Sequence, residues 1–121
     1  MRKDSERPIP TKTFLDNTIL TIENKTFQLA YPGPYHQRGN IFIYLPEQKV
    51  LMAVDQLASG DVPWKHLAAT PDVTALMRSY DQALAYDFDV YVSGHGNTGT
   101  KEDIKIQEEY INDLKLTLNL R

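Results

Sequence analysis

The sequence predicts one domain of the α/β (α+β) class, with element order ββββαβα and helices against one face of a mixed sheet. Five short runs are apolar or alternate apolar with polar residues, which is the pattern of strands. Two longer stretches repeat apolar residues at helical spacing. With 121 residues, 41% of them hydrophobic, the chain is long enough to bury one core.

The first two strands form a predicted hairpin. Residues 1–13 are polar, and we expect them to be a flexible lead-in to a single domain over residues 14–121. The alternating runs 18–22 and 26–31 are separated by turn residues 23–25, which predicts a β-hairpin.

The next two strands, 41–45 and 50–54, are almost wholly apolar. Such strands are typical of burial on both faces of a sheet. The four residues between them, 46–49, begin with proline and predict a turn. The two strands therefore form a second predicted hairpin.

Two helices and one strand complete the predicted order. Thr70 as N-cap and Pro71 at the first helical position indicate a helix that runs to about residue 85 or 86. A strand over 88–92 follows, and Thr100 caps a final helix. The apolar stripes of the two helices are Val73, Leu76, Met77, Tyr80 and Leu84, and then Ile104, Ile111, Leu114 and Leu118.

Composition excludes several classes of function. The net charge is −3, and no cluster of Lys and Arg marks a nucleic-acid surface. No apolar run approaches the roughly 18 residues of a membrane span, and the N-terminus lacks a signal-peptide core. The chain has no cysteine, so thiolate ligands are excluded. We expect a cytoplasmic protein that binds neither nucleic acid nor membrane.

Three side chains stand out as candidate metal ligands, because each lies in a loop beside an apolar strand. They are His36 in a Pro/Gly-rich loop, Asp55 directly after strand 50–54, and His95 between two glycines. Each also has an ordinary structural explanation, as a turn histidine or as an aspartate that caps its own turn. Taken together, two imidazoles and a carboxylate suit zinc, iron or manganese.

A second, weaker group is predicted to contact a substrate. Trp64 offers an apolar wall and His66 a pH-sensitive hydrogen bond, both in the loop after Asp55. Tyr35, next to His36, is assigned to the same group. An exposed histidine and a half-packed tryptophan in a loop are the structural alternative.

Short segments around the three candidate ligands match one known family in order and spacing. They are Gly33-Pro34-Tyr35-His36, Leu45-Pro46, Val50-Leu51-Met52-Ala53-Val54-Asp55 and Gly94-His95-Gly96. From about Arg7 to Leu114 the chain resembles the C-terminal half of a metallo-β-lactamase-fold protein.

The resemblance implies half of an αββα sandwich with a two-metal site along one edge. It implies that His36 completes the ligands of the first metal, that Asp55 bridges both metals as the catalytic carboxylate, and that His95 completes the second. In such proteins a metal-bound hydroxide attacks a carbonyl, phosphoryl or sulfuryl centre. The implied substrate is a small molecule of ester or amide type.

The chain departs from the family pattern at three points. Asn40 stands where aspartate is usual, and Val54 where glycine is usual. The His-x-His-x-Asp-His motif of the family's N-terminal half is absent, and the chain has only three histidines. Three ligands over two metal positions are too few for tight zinc binding. We therefore expect zinc, iron or manganese to be absent or partly occupied, in a natural half, a truncated product or a fragment.

Half a sandwich would expose its inner sheet face, for which the candidates are Ile41, Ile43, Leu45, Leu51 and Ala53. We expect this face to pair with a missing N-terminal half or with a second copy in a two-fold homodimer. Three hypotheses remain open. The chain is a metal-dependent hydrolase half with weak or no activity alone, or a non-catalytic remnant that binds itself or a partner, or an unrelated small α/β binding domain.

Overall fold

The computed structural model describes residues 7–56, 59, 60, 62, 67 and 70–118. The elements, in chain order, are strands β1 (Asn17–Ile22), β2 (Lys25–Ala30), β3 (Phe42–Leu45) and β4 (Val50–Ala53), helix α1 (Val73–Leu84), strand β5 (Val90–Val92) and helix α2 (Lys101–Thr117). The predicted order ββββαβα is confirmed. Neither α1 nor α2 is long and apolar enough to cross a membrane.

The sheet is mixed, as predicted, and its strand order is β1-β2-β3-β4-β5. Neighbours pair antiparallel except β4 and β5, which are parallel. The first hairpin turn is one residue shorter than predicted, because Lys25 already pairs with Ile22. Glu23 and Asn24 have φ of 48° and 65°, the left-handed pair of a two-residue type I′ turn.

Both helices pack on one face of the sheet, which confirms that part of the prediction. The core joins sheet side chains to helix side chains, namely Phe42, Tyr44, Leu51, Ala53 and Tyr91 to Leu76, Tyr80, Ala83, Ile104 and Ile111. Burial of such large apolar side chains is the main stabilising contribution, at about 1.5–3 kcal/mol each.

Among the described residues no helix or second sheet covers the opposite sheet face, and only residues 12–14 lie beside it, near Leu20 and Leu29. Cross-strand partners share a face, and the register aligns Leu29 with Ile43, Ile43 with Met52, and Met52 with Val92. We call this surface the open face, and it comprises Leu20, Phe27, Leu29, Ile43, Leu45, Val50, Met52, Val90 and Val92. These side chains are only half-buried or exposed.

The open face corrects two predictions. Strands 41–45 and 50–54 are buried on one face only, because the described helices cover a single side of the sheet. Leu51 and Ala53 were expected among the candidates for the exposed inner face, but both are fully buried against the helices. Alternation along β4 places them opposite Met52.

The first helix begins two residues later than predicted. Its N-cap is Asp72, not Thr70, and Asp72 Oδ1 accepts a hydrogen bond of 2.9 Å from the Ala75 amide. Thr100 caps α2 as predicted, in a capping box with Asp103. The apolar stripes are confirmed in part. Leu76, Tyr80, Ile104 and Ile111 are buried, whereas Val73 and Leu118 are exposed.

Candidate metal centre

The topology brings His36, Asp55 and His95 to one edge of the sheet. Asp55 follows β4 and His95 follows β5, and these strands are parallel, so both side chains lie beyond the same strand ends. His36 lies in the segment 31–41 that enters β3, which is antiparallel to β4. The start of β3 therefore lies at that same edge.

The Asp55 carboxylate lies between the two imidazoles. His95 Nε2 is 3.3 Å from Asp55 Oδ1, and His36 Nε2 is 3.8 Å from Asp55 Oδ2. The His36 side chain is 13% exposed and that of Asp55 23%, whereas that of His95 is 75% exposed. The site is thus open to solvent on the His95 side.

The shorter of the two spacings suits a pair of ligands on one ion. Two ligands of one tetrahedral zinc, each about 2.0–2.1 Å from the ion, lie about 3.3 Å apart. The contact between His95 and Asp55 matches that separation at 3.3 Å, and the contact between His36 and Asp55 is wider at 3.8 Å. Each carboxylate oxygen faces a different imidazole, so each ion would have one nitrogen and one oxygen from this chain.

The donor types fit zinc, iron or manganese, but the number of donors falls short. A catalytic zinc normally has three protein ligands. Within the described ranges, no group of three or more His, Asp or Glu side chains is placed to hold an ion. The described residues would therefore supply only part of a ligand set.

The turn that presents Asp55 is held by hydrogen bonds to the preceding residue. Asp55 has φ of 60°, a left-handed conformation that aspartate tolerates better than most residues. The Val54 carbonyl accepts hydrogen bonds from Tyr35 Oη at 2.9 Å and from Asn40 Nδ2 at 3.2 Å. Asn40 has a role here that an ionised aspartate cannot fill, since a carboxylate only accepts.

Tyr35 has a structural position that differs from its predicted one. Its side chain is fully buried, so the structure gives it a positioning role in place of the predicted substrate contact. Burial is the main cause that raises the pKa of Tyr35, and the nearby Asp55 charge adds to it. The hydroxyl therefore stays protonated and remains a donor to Val54 at neutral and alkaline pH.

The loop that carries His95 is closed at its base. The Tyr91 amide donates to the Gly99 carbonyl at 2.8 Å, and the Gly99 amide donates back to the Tyr91 carbonyl at 2.9 Å. Ser93 Oγ donates to the His95 carbonyl inside the loop. These contacts fix the backbone on both sides of His95 while its imidazole extends into solvent.

Trp64 and His66, the other two predicted substrate-binding residues, lie outside the described residues. Sequence reasoning missed Gln56, which is fully buried beneath the Asp55 turn. A glutamine in a loop gives no sequence signal of burial, because the type is usually exposed.

Comparison with known proteins identifies the family. The model of the metallo-beta-lactamase superfamily matches residues 2–95. The 2,4-dinitroanisole O-demethylase subunit alpha of Nocardioides sp. (strain JS1661) is 30% identical over 96 residues, covering 78% of this chain and 29% of the relative. Metallo-beta-lactamase type 2 of Bacteroides fragilis is 25% identical over 114 residues, covering 93% and 46%.

The fold agrees with solved structures of the same family. The metallo-beta-lactamase from Pontibacter korlensis superposes with a TM-score of 0.76 at 21% identity, covering 91% of this chain and 52% of that one. The chain thus spans about half the length of these lactamases and less of the demethylase subunit. It belongs to the metallo-beta-lactamase superfamily.

Proposed function

We propose that this chain contributes the C-terminal ligand set of a two-metal hydrolytic site. The observation that carries the proposal is the Asp55 carboxylate, with one oxygen towards His36 and the other towards His95. Zinc is the ion we propose first, and the same donors accept iron or manganese. Asp55 is the bridging and catalytic carboxylate in this proposal, and the two histidines hold the separate ions.

The chemistry that such a metal pair supplies when bound is ionisation of water near neutral pH and stabilisation of negative charge on the attacked centre. The residues of this chain would hold the ions and orient the side chains that bind them. The turn around Asp55 fixes the carboxylate, and the closed loop fixes His95. A small molecule of ester or amide type is the proposed substrate class, with Trp64 and His66 as proposed contacts.

We expect weak or no turnover from the chain alone, because the described residues offer each ion only two donors. The remaining donors must come from a second half-site. That half-site is an N-terminal half of the same fold or a second copy of this chain.

Metal content tests this function directly. Untagged protein is brought to equilibrium by dialysis against buffer that contains a known concentration of zinc, and the excess zinc on the protein side is measured by elemental analysis. We expect bound zinc in the wild type, loss of that zinc in His95→Ala, and retention in Asp87→Asn, which removes an exposed carboxylate remote from the site. Absence of zinc in the wild type, with a Tm that a chelator leaves unchanged, contradicts the proposal.

A second candidate function, self-association, is favoured by the open face. Strands about 4.8 Å apart and roughly five residues long make this five-stranded face about 20 Å by 17 Å. That size falls among the apolar patches of about 300–600 Å² that are often functional on monomers. None of the nine side chains that define the open face is charged, although the register places Lys25, at the start of β2, on the same side of the sheet.

We propose a second copy as the occupant of the open face. A two-fold contact requires a self-complementary surface, and an apolar face satisfies that requirement. A second copy would also add another His36, Asp55 and His95, and these could supply the metal donors that one copy lacks. Sedimentation equilibrium at micromolar concentration should give the dimer mass, and a monomer mass contradicts this candidate.

A further inference from the structure

We propose that Gln56 is a positioning residue for Asp55, acting through a buried hydrogen-bond network beneath the turn. The inference rests on the proposed function of Asp55 as a metal ligand. Gln56 directly follows Asp55, and its side chain points away from solvent into the core, where it is fully buried.

Gln56 is held from the helix and from the sheet. Its Nε2 donates to Ser79 Oγ in α1 at 2.8 Å, and its Oε1 lies 3.0 Å from the donor Tyr91 Oη in β5. Its backbone carbonyl accepts from Tyr80 Oη at 3.4 Å. Ser79 donates its own proton to the Leu76 carbonyl, so its lone pairs remain for Gln56.

Tyr91 ties together the two ends of the turn. Its hydroxyl lies 2.9 Å from the Ala53 carbonyl oxygen and 3.0 Å from Gln56 Oε1. A phenol has one proton, so that proton is shared between the two acceptors. One fully buried side chain therefore contacts the residue that ends β4 and the residue that follows Asp55.

These anchors explain how Asp55 keeps its left-handed conformation. On one side the backbone is fixed at Ala53 and Val54, and on the other side at Gln56. Rotation of the turn towards an ordinary conformation would pull Gln56 from its partners. A buried amide without partners is strongly unfavourable, so the network selects the observed turn.

The direction of the Asp55 carboxylate depends on that turn. With φ of 60°, its two oxygens face His36 and His95. The residue that sets this direction does not itself touch the site. We therefore expect substitution of Gln56 to change the conformation of Asp55 and its affinity for metal, beyond any change in stability.

The test compares Gln56→Leu with Gln107→Leu. Both variants replace a buried glutamine by an apolar side chain of similar size, and Gln107 lies on α2, a helix that none of the Gln56 hydrogen bonds reaches. Two properties are measured for each. The first is the intraresidue NOE between the amide proton and Hα of Asp55 in metal-free protein, which is strong at positive φ. The second is affinity for zinc alone, by calorimetric titration.

We expect Gln56→Leu to weaken the Asp55 NOE and to lower zinc affinity by about tenfold or more. Gln107→Leu should leave both near wild type, even where it lowers Tm equally. If Gln56→Leu does not fold, Ser79→Ala removes one hydroxyl from the network and should give the same two changes. An unchanged Asp55 NOE in a folded network variant overturns the inference.

The two readouts separate this inference from the proposed function. A wild type that binds no zinc, with an Asp55 NOE that still depends on Gln56, contradicts the metal site and supports the positioning role. A wild type and a Gln56→Leu variant that bind zinc equally well, with the same NOE, support the metal site and contradict the positioning role.

Discussion

Gly94 lies so close to Val54 that a Cβ on the glycine would be 2.7 Å from Val54 Cγ1. The same Cβ would lie 3.0 Å from Asp55 Oδ1. The segment that leads to His95 therefore packs directly against the turn that presents Asp55. The spacing between these two proposed ligands depends on the absence of one side chain.

Replacement of that glycine should separate the two ligands. In Gly94→Ala the new methyl group must displace Val54 or Asp55, since contacts below 3.0 Å are not tolerated. We expect a loss of about 1–3 kcal/mol in the free energy of unfolding in urea, together with weaker zinc binding. The double variant Gly94→Ala, Val54→Gly should recover part of both losses, because it removes the closer contact. Full zinc affinity in Gly94→Ala would contradict this account.

Tyr35→Phe should impair zinc binding without exposing the core. The variant removes the donor to the Val54 carbonyl and leaves only the Asn40 contact. We expect a loss of about 1 kcal/mol in stability and a measurable loss of zinc affinity. Tyr44→Phe is the matched control, because Tyr44 Oη donates to the Asp87 carbonyl away from the site. Equal effects of the two variants on zinc affinity would show that Tyr35 has no special role.

The proposed dimer predicts a difference between two apolar positions. Met52→Lys places a charge in the centre of the open face, and we expect it to convert the dimer to monomer because the charge would be buried between copies. Ile19→Lys changes a residue that is 65% exposed and lies on the other side of the sheet. It should leave the dimer mass unchanged. The measurement is sedimentation equilibrium, and a Met52→Lys dimer would argue against the open face as the interface.

Glu108 gives a prediction about pH. Burial, and then repulsion from Asp81 and Glu109, raises the pKa of Glu108 above its usual value. A carboxyl with a raised folded-state pKa stabilises the fold below its unfolded pKa, and that contribution is lost as pH rises through the folded-state value.

Glu108→Gln should therefore raise Tm at pH 7 and have little effect near pH 4. We expect only about 1–2 °C, since the side chain is no more than half-buried and solvent screens its charge. Glu23→Gln removes a carboxylate from the exposed β1–β2 turn and serves as the control. A Tm gain that is the same at both pH values would exclude the electrostatic cause.

The sequence predicted the element order and the meeting of three side chains, because both depend on local patterns. Apolar runs located the strands, and a polar residue at a strand end indicated the shared edge. Those patterns could not predict that Asp72 is the N-cap of α1 or that Gln56 is buried. Thr70 and Asp72 are both good N-caps, and which one starts the helix depends on tertiary packing. The burial of Gln56 depends on partners from α1 and β5, which are distant in sequence.

The sequence also could not predict which side of the sheet the helices cover. Along β4 both faces are apolar, so alternation does not distinguish Leu51 from Met52. The burial of Leu51 follows from the position of α1 and α2, which lie further along the chain. Similarly, Asn40 looked like a local departure from the family pattern, and the structure shows that its amide donates to Val54.

His36, Asp55 and His95 are proposed to hold metal ions. X-ray absorption of the zinc-loaded chain tests this proposal most directly, because imidazole ligands give a distinct outer-shell scattering pattern. We predict zinc with nitrogen and oxygen ligands at about 2.0–2.1 Å and an imidazole contribution that falls in both His36→Ala and His95→Ala. Absence of imidazole scattering from the wild-type zinc site would contradict the proposed ligands. Imidazole scattering that stays at the wild-type level in both His36→Ala and His95→Ala would contradict them equally.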